Sequence, residues 1–388
     1  MEFLVFGEDW GRHPSSSQHI LTALMDRYEV TWINSIGLRQ PKLNWRDISR
    51  VREKLYATLS HRSRVKTGNT KECNPNQAPA TIIKPLVWPV AQAPLIKKIN
   101  NALLNMQLYR KQKRRIIWAA LPTAVDYLDI CDSDLVIYYC GDDFSSLADV
   151  DHHYVTEMEK QLIHRADIIL ACSPALQDKF PASKTWLLPH GVALSQFAKP
   201  ASCPADISTT QPSVGFYGSI NNWLDQSLLA HLANARSGIN FYLVGPVNTD
   251  ITALSHIPNI HFLPAKPHHQ LAGYLQHWTA AILPFIDNAQ IRACNPLKLR
   301  EYLAAGCPVI SADFPAVHPY QPLVTTATSP NEWLQAIDSH CQFSHSERQA
   351  YAKQASVRIA HESWENRANA VIELINSKLM SEKTDSPS

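Results

Sequence analysis

The sequence predicts an α/β protein made of two doubly wound, Rossmann-like domains facing a central cleft. Three observations carry that expectation. At 388 residues the chain is too long for one ordinary core. It opens with an apolar strand, a glycine-bearing loop and a helix. The same pattern restarts at Val214, after a Pro/Ser/Thr/Ala-rich stretch at 193–212 that reads as a linker. The expected divisions are a first domain at 1–192, a second at 213–360, and a closing segment at 361–388. The closing helix is a candidate to cross back to the first domain, ahead of a disordered polar tail.

Composition is that of an ordinary globular chain, 45% apolar and 18% charged. No apolar run reaches the roughly eighteen residues that span a bilayer. Met1–Gly7 has no basic flank and reads as a first strand, not a signal peptide, so a cytoplasmic location is expected. Eight cysteines without CxxC spacing argue for reduced thiols and against a metal site or disulfide framework. Net charge is +2, unevenly spread. Residues 1–120 hold 20 Lys/Arg against 8 Asp/Glu, a balance of +12, and the remainder holds 16 against 26, a balance of −10. A basic first third points to a polyanionic partner or membrane surface, or simply to a solvated face. No RNA- or DNA-binding motif accompanies it.

Taken in order, Glu2–Gly7 is a strand running into a polar loop and a helix from about Ser17 to Arg27. Ligands of such folds sit at the carboxyl ends of strands, which makes Asp9, Arg12, His13 and Ser16 acceptor-side candidates. There is no GxGxxG fingerprint. Tyr28–Ile33 and Thr81–Pro89 read as strands, with a basic stretch at 39–71 between them. From Val90 to Arg115, Leu95, Ile96, Ile99, Leu103, Leu104 and Leu108 recur at helical spacing beside seven basic residues. Such a helix either lies on an anionic membrane through 95–115 or packs its stripe on its own domain. Strands Arg115–Ala119 and Asp134–Cys140 follow, the second ending in Gly141-Asp142-Asp143. Asp142, directly past strand and glycine, is the general-base candidate. Asp132-Ser133-Asp134 fits a metal-binding DxD but precedes a strand, so it reads as a turn. Ala166–Cys172 and Thr185–Pro189 are strands, the latter leading to His190-Gly191-Val192.

The second array begins with Val214–Tyr217 and Gly218-Ser219, then Asn240–Val244 with Gly245, Asn259–Leu263 and Ala280–Pro284. Next comes Cys294 to Ser311, a short helix feeding the strand Pro308–Ser311. Asn295 can cap the helix, Pro296 suits its first position, and Gly306 can end it. Lys298 in the first turn opposes the helix dipole. An anion bound there would reverse that penalty. A solvated lysine on a plain helix would merely bear it. Residues 331–341 and 347–377 read as further helices.

These residues resemble GT-B glycosyltransferases, nearest the family-4-like enzymes of bacterial surface polysaccharide assembly. Carrying the likeness are Ser173-Pro174, His190-Gly191-Val192, Gly218-Ser219, Val244-Gly245 and the stretch from Pro296 to Val309 with Lys298, Glu301, Gly306 and Pro308. It covers about residues 134–310. Of the family's two glutamates eight positions apart, Glu301 fits the second and Ala293 stands at the first. A second likeness is to the xanthan-type glucuronosyltransferase, in which Asp142 matches an inverting base, Lys298 the donor-phosphate residue and Glu301 the ribose-binding position. The resemblance implies a metal-independent transferase without cofactor. It would move sugar from a nucleotide-diphosphate sugar, UDP-linked first, to a glycan or lipid-linked glycan. His190, Gly218, Ser219, Pro296, Lys298 and Glu301 would line the donor site, and the enzyme would sit peripherally on the inner membrane face. A sugar-nucleotide epimerase of this fold, or a non-catalytic relative that binds nucleotide-sugar or polysaccharide, would share these features.

Overall fold

The computed structural model describes residues 1–11, 15–36, 78–87, 94–144 and 152–384. Arg12, His13 and the basic stretch 39–71 lie outside the described residues. The chain packs as two units, Met1–Pro189 together with Ala368–Ser388, and His190–Arg367.

The strands of the first unit are β1 (Glu2–Phe6), β2 (Glu29–Ile33), β3 (Thr81–Ile83), β4 (Arg115–Ala119), β5 (Leu135–Cys140), β6 (Ile168–Ala171) and β7 (Thr185–Leu187). They form one parallel sheet in the order β3-β2-β1-β4-β5-β6-β7. Every residue of β4, β5 and β6 is buried, as the continuous apolar runs of a sheet covered on both faces require. β3 stops at Ile83, short of the expected Pro89. Pro85 lacks the N–H that a ladder needs, which explains the early end. The helix expected over 90–115 is described from Pro94 and ends at Asn105, short of Arg115. Beyond it the basic residues serve other partners. Lys111 Nζ lies 2.8 Å from Asp134 and Lys113 Nζ 3.4 Å from Glu29. Arg115 opens β4 and is buried, with Nε 2.7 Å from Glu2 and Nη1 donating to the Cys131 carbonyl. A count of local charge misses such pairing across the fold. Asp132 takes a left-handed backbone (φ +44°) and Asp134 accepts from the Arg115 N–H, so Asp132–Asp134 form an irregular connection into β5.

The second unit contains β8 (Ser213–Tyr217), β9 (Asn240–Val244), β10 (Ile260–Leu263), β11 (Ala280–Leu283), β12 (Val309–Ala312) and β13 (Val324–Ala327). Their parallel order is β10-β9-β8-β11-β12-β13. The chain reverses direction across the sheet between β8 and β11, and in folds of this order that switch point is where ligands bind. The core beneath it includes Phe216, Phe241, Trp278, Tyr302 and Trp333, all fully buried. β13 was not foreseen; four residues between prolines at 322 and 330 give little periodicity to read. The helix expected over 347–377 is two, His345–Ile359 and Trp364–Thr384, parted by a turn in which Glu362 sits. The expected linker holds the helix Leu194–Ala198. His190–Val192 pack with the second unit, because the Val192 N–H donates to the Glu362 carbonyl and Gly191 lies against Trp364.

Candidate functional site

The second unit gathers its candidates at the carboxyl end of β8. Gly218 follows the strand with φ +133°, and Gly245 follows β9 with φ +147°. A Cβ on Gly245 would stand 2.1 Å from the Gly218 carbonyl oxygen, so both turns depend on glycine. Into this gap comes Lys298. A Cβ on Gly218 would lie 3.2 Å from its Nζ. The ammonium is 5.2 Å from the Phe216 ring centre and 5.8 Å from that of Phe285, within reach of a cation–π attraction. Desolvation holds the Lys298 pKa below the ordinary lysine range, against the pull of Glu301 and Cys294. Among the described residues Glu301 is the carboxylate that acts on it, and that carboxylate is also bonded to Tyr217 and His268. The lysine is thus a cation in apolar company at the mouth of two glycine turns.

The helix that carries it is Leu297–Ala304. Pro296 stands at the cap position, one residue earlier than expected. Asn295 does not cap the helix; its side-chain oxygen accepts from Arg300 Nη1 at 2.5 Å. No side chain caps this end, so the helix's first N–H groups have no such partner. Gly306 ends the helix with φ +70°, as expected.

One turn on, Glu301 is held from two sides. The Tyr217 hydroxyl donates to Oε2, and His268 Nε2 lies 2.6 Å from Oε1. Burial works against a charged His268, but the hydrogen bond and charge of Glu301 outweigh it and raise the pKa. Neither Tyr217 nor His268 stood out in the sequence. The signal available was position: Tyr217 ends β8, and His268 follows Pro267 just past β10. Ser219 Oγ accepts from Asn248 Nδ2 at 2.8 Å. His190 is buried, and its carbonyl accepts from Arg367 Nε at 3.3 Å. Its neighbours make it part of the framework around 362–367.

In the first unit Asp142 follows β5 and Gly141, with an exposed side chain. Desolvation by the surrounding protein, then the charges of Glu8 and Asp143, push its carboxyl up to about 6. Asp143 is paired, 2.5 Å from Lys179 Nζ. Asp9 accepts from the Ser35 N–H and hydroxyl, which ties its loop to the end of β2. Ser16 is buried in the first turn of Ser16–Thr22, and Ser15 caps that helix while donating to Glu8 at 3.0 Å. Asp9 and Ser16 therefore serve the loop and helix that frame the site. Glu8, which the sequence did not single out, is the residue beside Asp142.

No family model matches the chain. Over its full length it superposes on Anabaena HepE, a structure in complex with UDP and glucose, with TM-score 0.68, 13% identity and coverage of 97% of this chain and 100% of that one. The fold is GT-B. Sucrose-phosphate synthase from Thermosynechococcus elongatus shares this GT-B arrangement, with TM-score 0.69 at 13% identity over 98% of this chain and 99% of that one. In sequence the chain is similar to TuaH of Bacillus subtilis (strain 168), assigned as a glycosyltransferase of teichuronic acid biosynthesis. The two are 26% identical over 252 residues, 59% of this chain and 62% of TuaH. In the GT-B frame, Gly218, Lys298 and Glu301 lie at the switch point of the second sheet, and Asp142 lies past a central strand of the first.

Proposed function

We propose that the protein is a glycosyltransferase of surface polysaccharide assembly that moves a sugar from a UDP-sugar to a glycan or lipid-linked glycan. The observation that carries this is Lys298, a desolvated cation facing Gly218 at an uncapped helix start. A diphosphate there would meet the lysine, a helix start without a side-chain cap, and glycine backbone together. UDP is favoured because HepE was solved with it. The reading of the acceptor class follows the similarity to TuaH.

In this reading Lys298 and the helix start balance the charge that builds on the departing diphosphate. That role needs no metal, so transfer should survive chelation. Glu301 accepts from ribose hydroxyls, and Asp142 removes the acceptor proton in an inverting reaction. The Pro94–Asn105 helix supports a peripheral membrane seat. It turns Asn100 and Leu104 inward and leaves Leu95 and Ile99 exposed at 70% and 46%, with Met106, just past its end, exposed at 84%. Among the described residues no helix is long and apolar enough to cross a membrane.

The test is affinity for UDP-, GDP- and ADP-sugars by calorimetry, followed by transfer to a lipid-linked glycan with the preferred donor. UDP-sugars should bind best, and Lys298→Ala should weaken them at least about tenfold, the loss of one charged contact. Equal affinity in wild type and variant would remove Lys298 from the site and the proposal with it.

A further inference from the structure

The Glu301 carboxylate is held by a chain of side chains drawn from separate elements. Gln196, on the Leu194–Ala198 helix, places Nε2 3.0 Å from the His268 carbonyl oxygen and 3.0 Å from His268 Nδ1. A carbonyl oxygen only accepts, so the Gln196 atom facing it is the NH2 group. The same nitrogen faces Nδ1, so Nδ1 must accept as well. The imidazole hydrogen then sits on Nε2, which donates to Glu301 Oε1 at 2.6 Å. Phe197 packs edge-on against the imidazole with ring centres 5.3 Å apart and fixes its plane. The Tyr217 hydroxyl holds the other carboxylate oxygen.

We propose that Gln196, His268 and Tyr217 form a tautomer-locked frame that fixes the Glu301 carboxylate in the orientation that accepts the donor's ribose hydroxyls. His268 is then a positioning residue of the donor site, not a catalytic one. The inference rests on the reading of Glu301 as the ribose-binding residue. Titratable groups on the surrounding elements are Glu301, Lys298, Arg300 and Tyr302 on the Leu297–Ala304 helix, Tyr217 at the end of β8, and Lys266 and His269 in the loop of His268 itself. Lys266 is paired with Asp206 at 2.6 Å, and the Leu194–Ala198 helix brings no charge.

The probes are UDP and its 2′-deoxy and 3′-deoxy forms, bound to the full-length protein. Wild type should bind UDP about tenfold tighter than at least one deoxy form, because a hydroxyl bonded to a carboxylate is lost. Glu301→Gln should shrink that ratio. If wild type binds all three alike and Glu301→Gln changes nothing, the ribose reading fails and the frame falls with it. If Glu301→Gln shrinks the ratio but His268→Ala leaves it intact, the frame alone is overturned. The expected result is that His268→Ala weakens UDP about tenfold and the sensitive deoxy form far less. A loss of fold would weaken all three equally. His268→Gln, which can still present an N–H to Glu301, should restore most of the ratio and covers the case in which the alanine variant does not fold. Side-chain 15N spectra give an independent readout. Once the imidazole is neutral they should show His268 protonated on Nε2 alone, and in Gln196→Glu the doubly protonated form should persist to higher pH; a proton on Nδ1 alone in neutral wild type would overturn the lock.

Discussion

At the scale of single residues, Asp142 offers the sharpest test. Its carboxyl is raised from 3.8 to about 6, so the base form is lost as pH falls through about 6. Transfer measured as kcat/KM should be flat above pH 7 and should fall about tenfold per unit well below 6. Asp142→Asn should abolish transfer and remove that limb. The linkage sign is opposite to that of a salt-bridged aspartate. Between 3.8 and about 6 the folded carboxyl keeps a proton that the unfolded chain releases. Stability therefore declines as pH rises through that window and stays lower above it. Asp142→Asn should melt higher than wild type at pH 7 while leaving donor affinity unchanged. An inactive variant with a lower melting temperature would mean that the residue serves the fold. Asp142 was legible because it follows strand and glycine directly. Its neighbour Glu8 was not, since six strand and loop residues at the start of the chain gave no hint that β1 and β5 flank β4.

At the scale of elements, the strands were the easiest to read. β9 matches its expected bounds, Asn240–Val244, because five consecutive buried residues leave one assignment open. Helices were harder. Apolar spacing runs smoothly through 95–108, and nothing local marks the stop at Asn105; the residues that follow are claimed by Asp134, Glu29 and Glu2, far away in sequence. The stripe itself divides into two faces. Leu104 is fully buried, whereas Leu95 and Ile99, together with Met106 just past the helix end, are exposed. A triple Leu95→Ser, Ile99→Ser, Met106→Ser variant should release the protein from anionic vesicles. It should keep its fold, since each exposed change costs within about 0.5 kcal/mol. Leu104→Ala, in contrast, should cost about 2–5 kcal/mol of stability. Vesicle cosedimentation alongside chemical denaturation separates the two faces. Unchanged cosedimentation of the folded triple variant would remove this helix from membrane binding.

At the scale of the molecule, the two βα arrays were legible because the same strand-glycine signature occurs twice around a proline-rich break. Lys298 and Glu301 were legible because one short helix carries both. Their companions were not, because tertiary folding alone assembles them: His268 reaches Glu301 across 33 residues, Gln196 reaches His268 across 72, and Tyr217 reaches Glu301 across 84. Every one of those residues belongs to the unit His190–Arg367, which makes donor binding a property of one unit. Stabilisation by ligand should follow the same division. UDP at a hundredfold its Kd should add about 2.7 kcal/mol to whatever transition unfolds that unit. With affinity weakened tenfold in Lys298→Ala, the same UDP concentration should add only about 1.4 kcal/mol. Scanning calorimetry reads both. If the units melt separately, only the transition of the second should move, and Asp142→Asn should leave that shift at its wild-type size. A UDP shift confined to the transition of Met1–Pro189 would place the nucleotide in the other unit and overturn the assignment of the donor site.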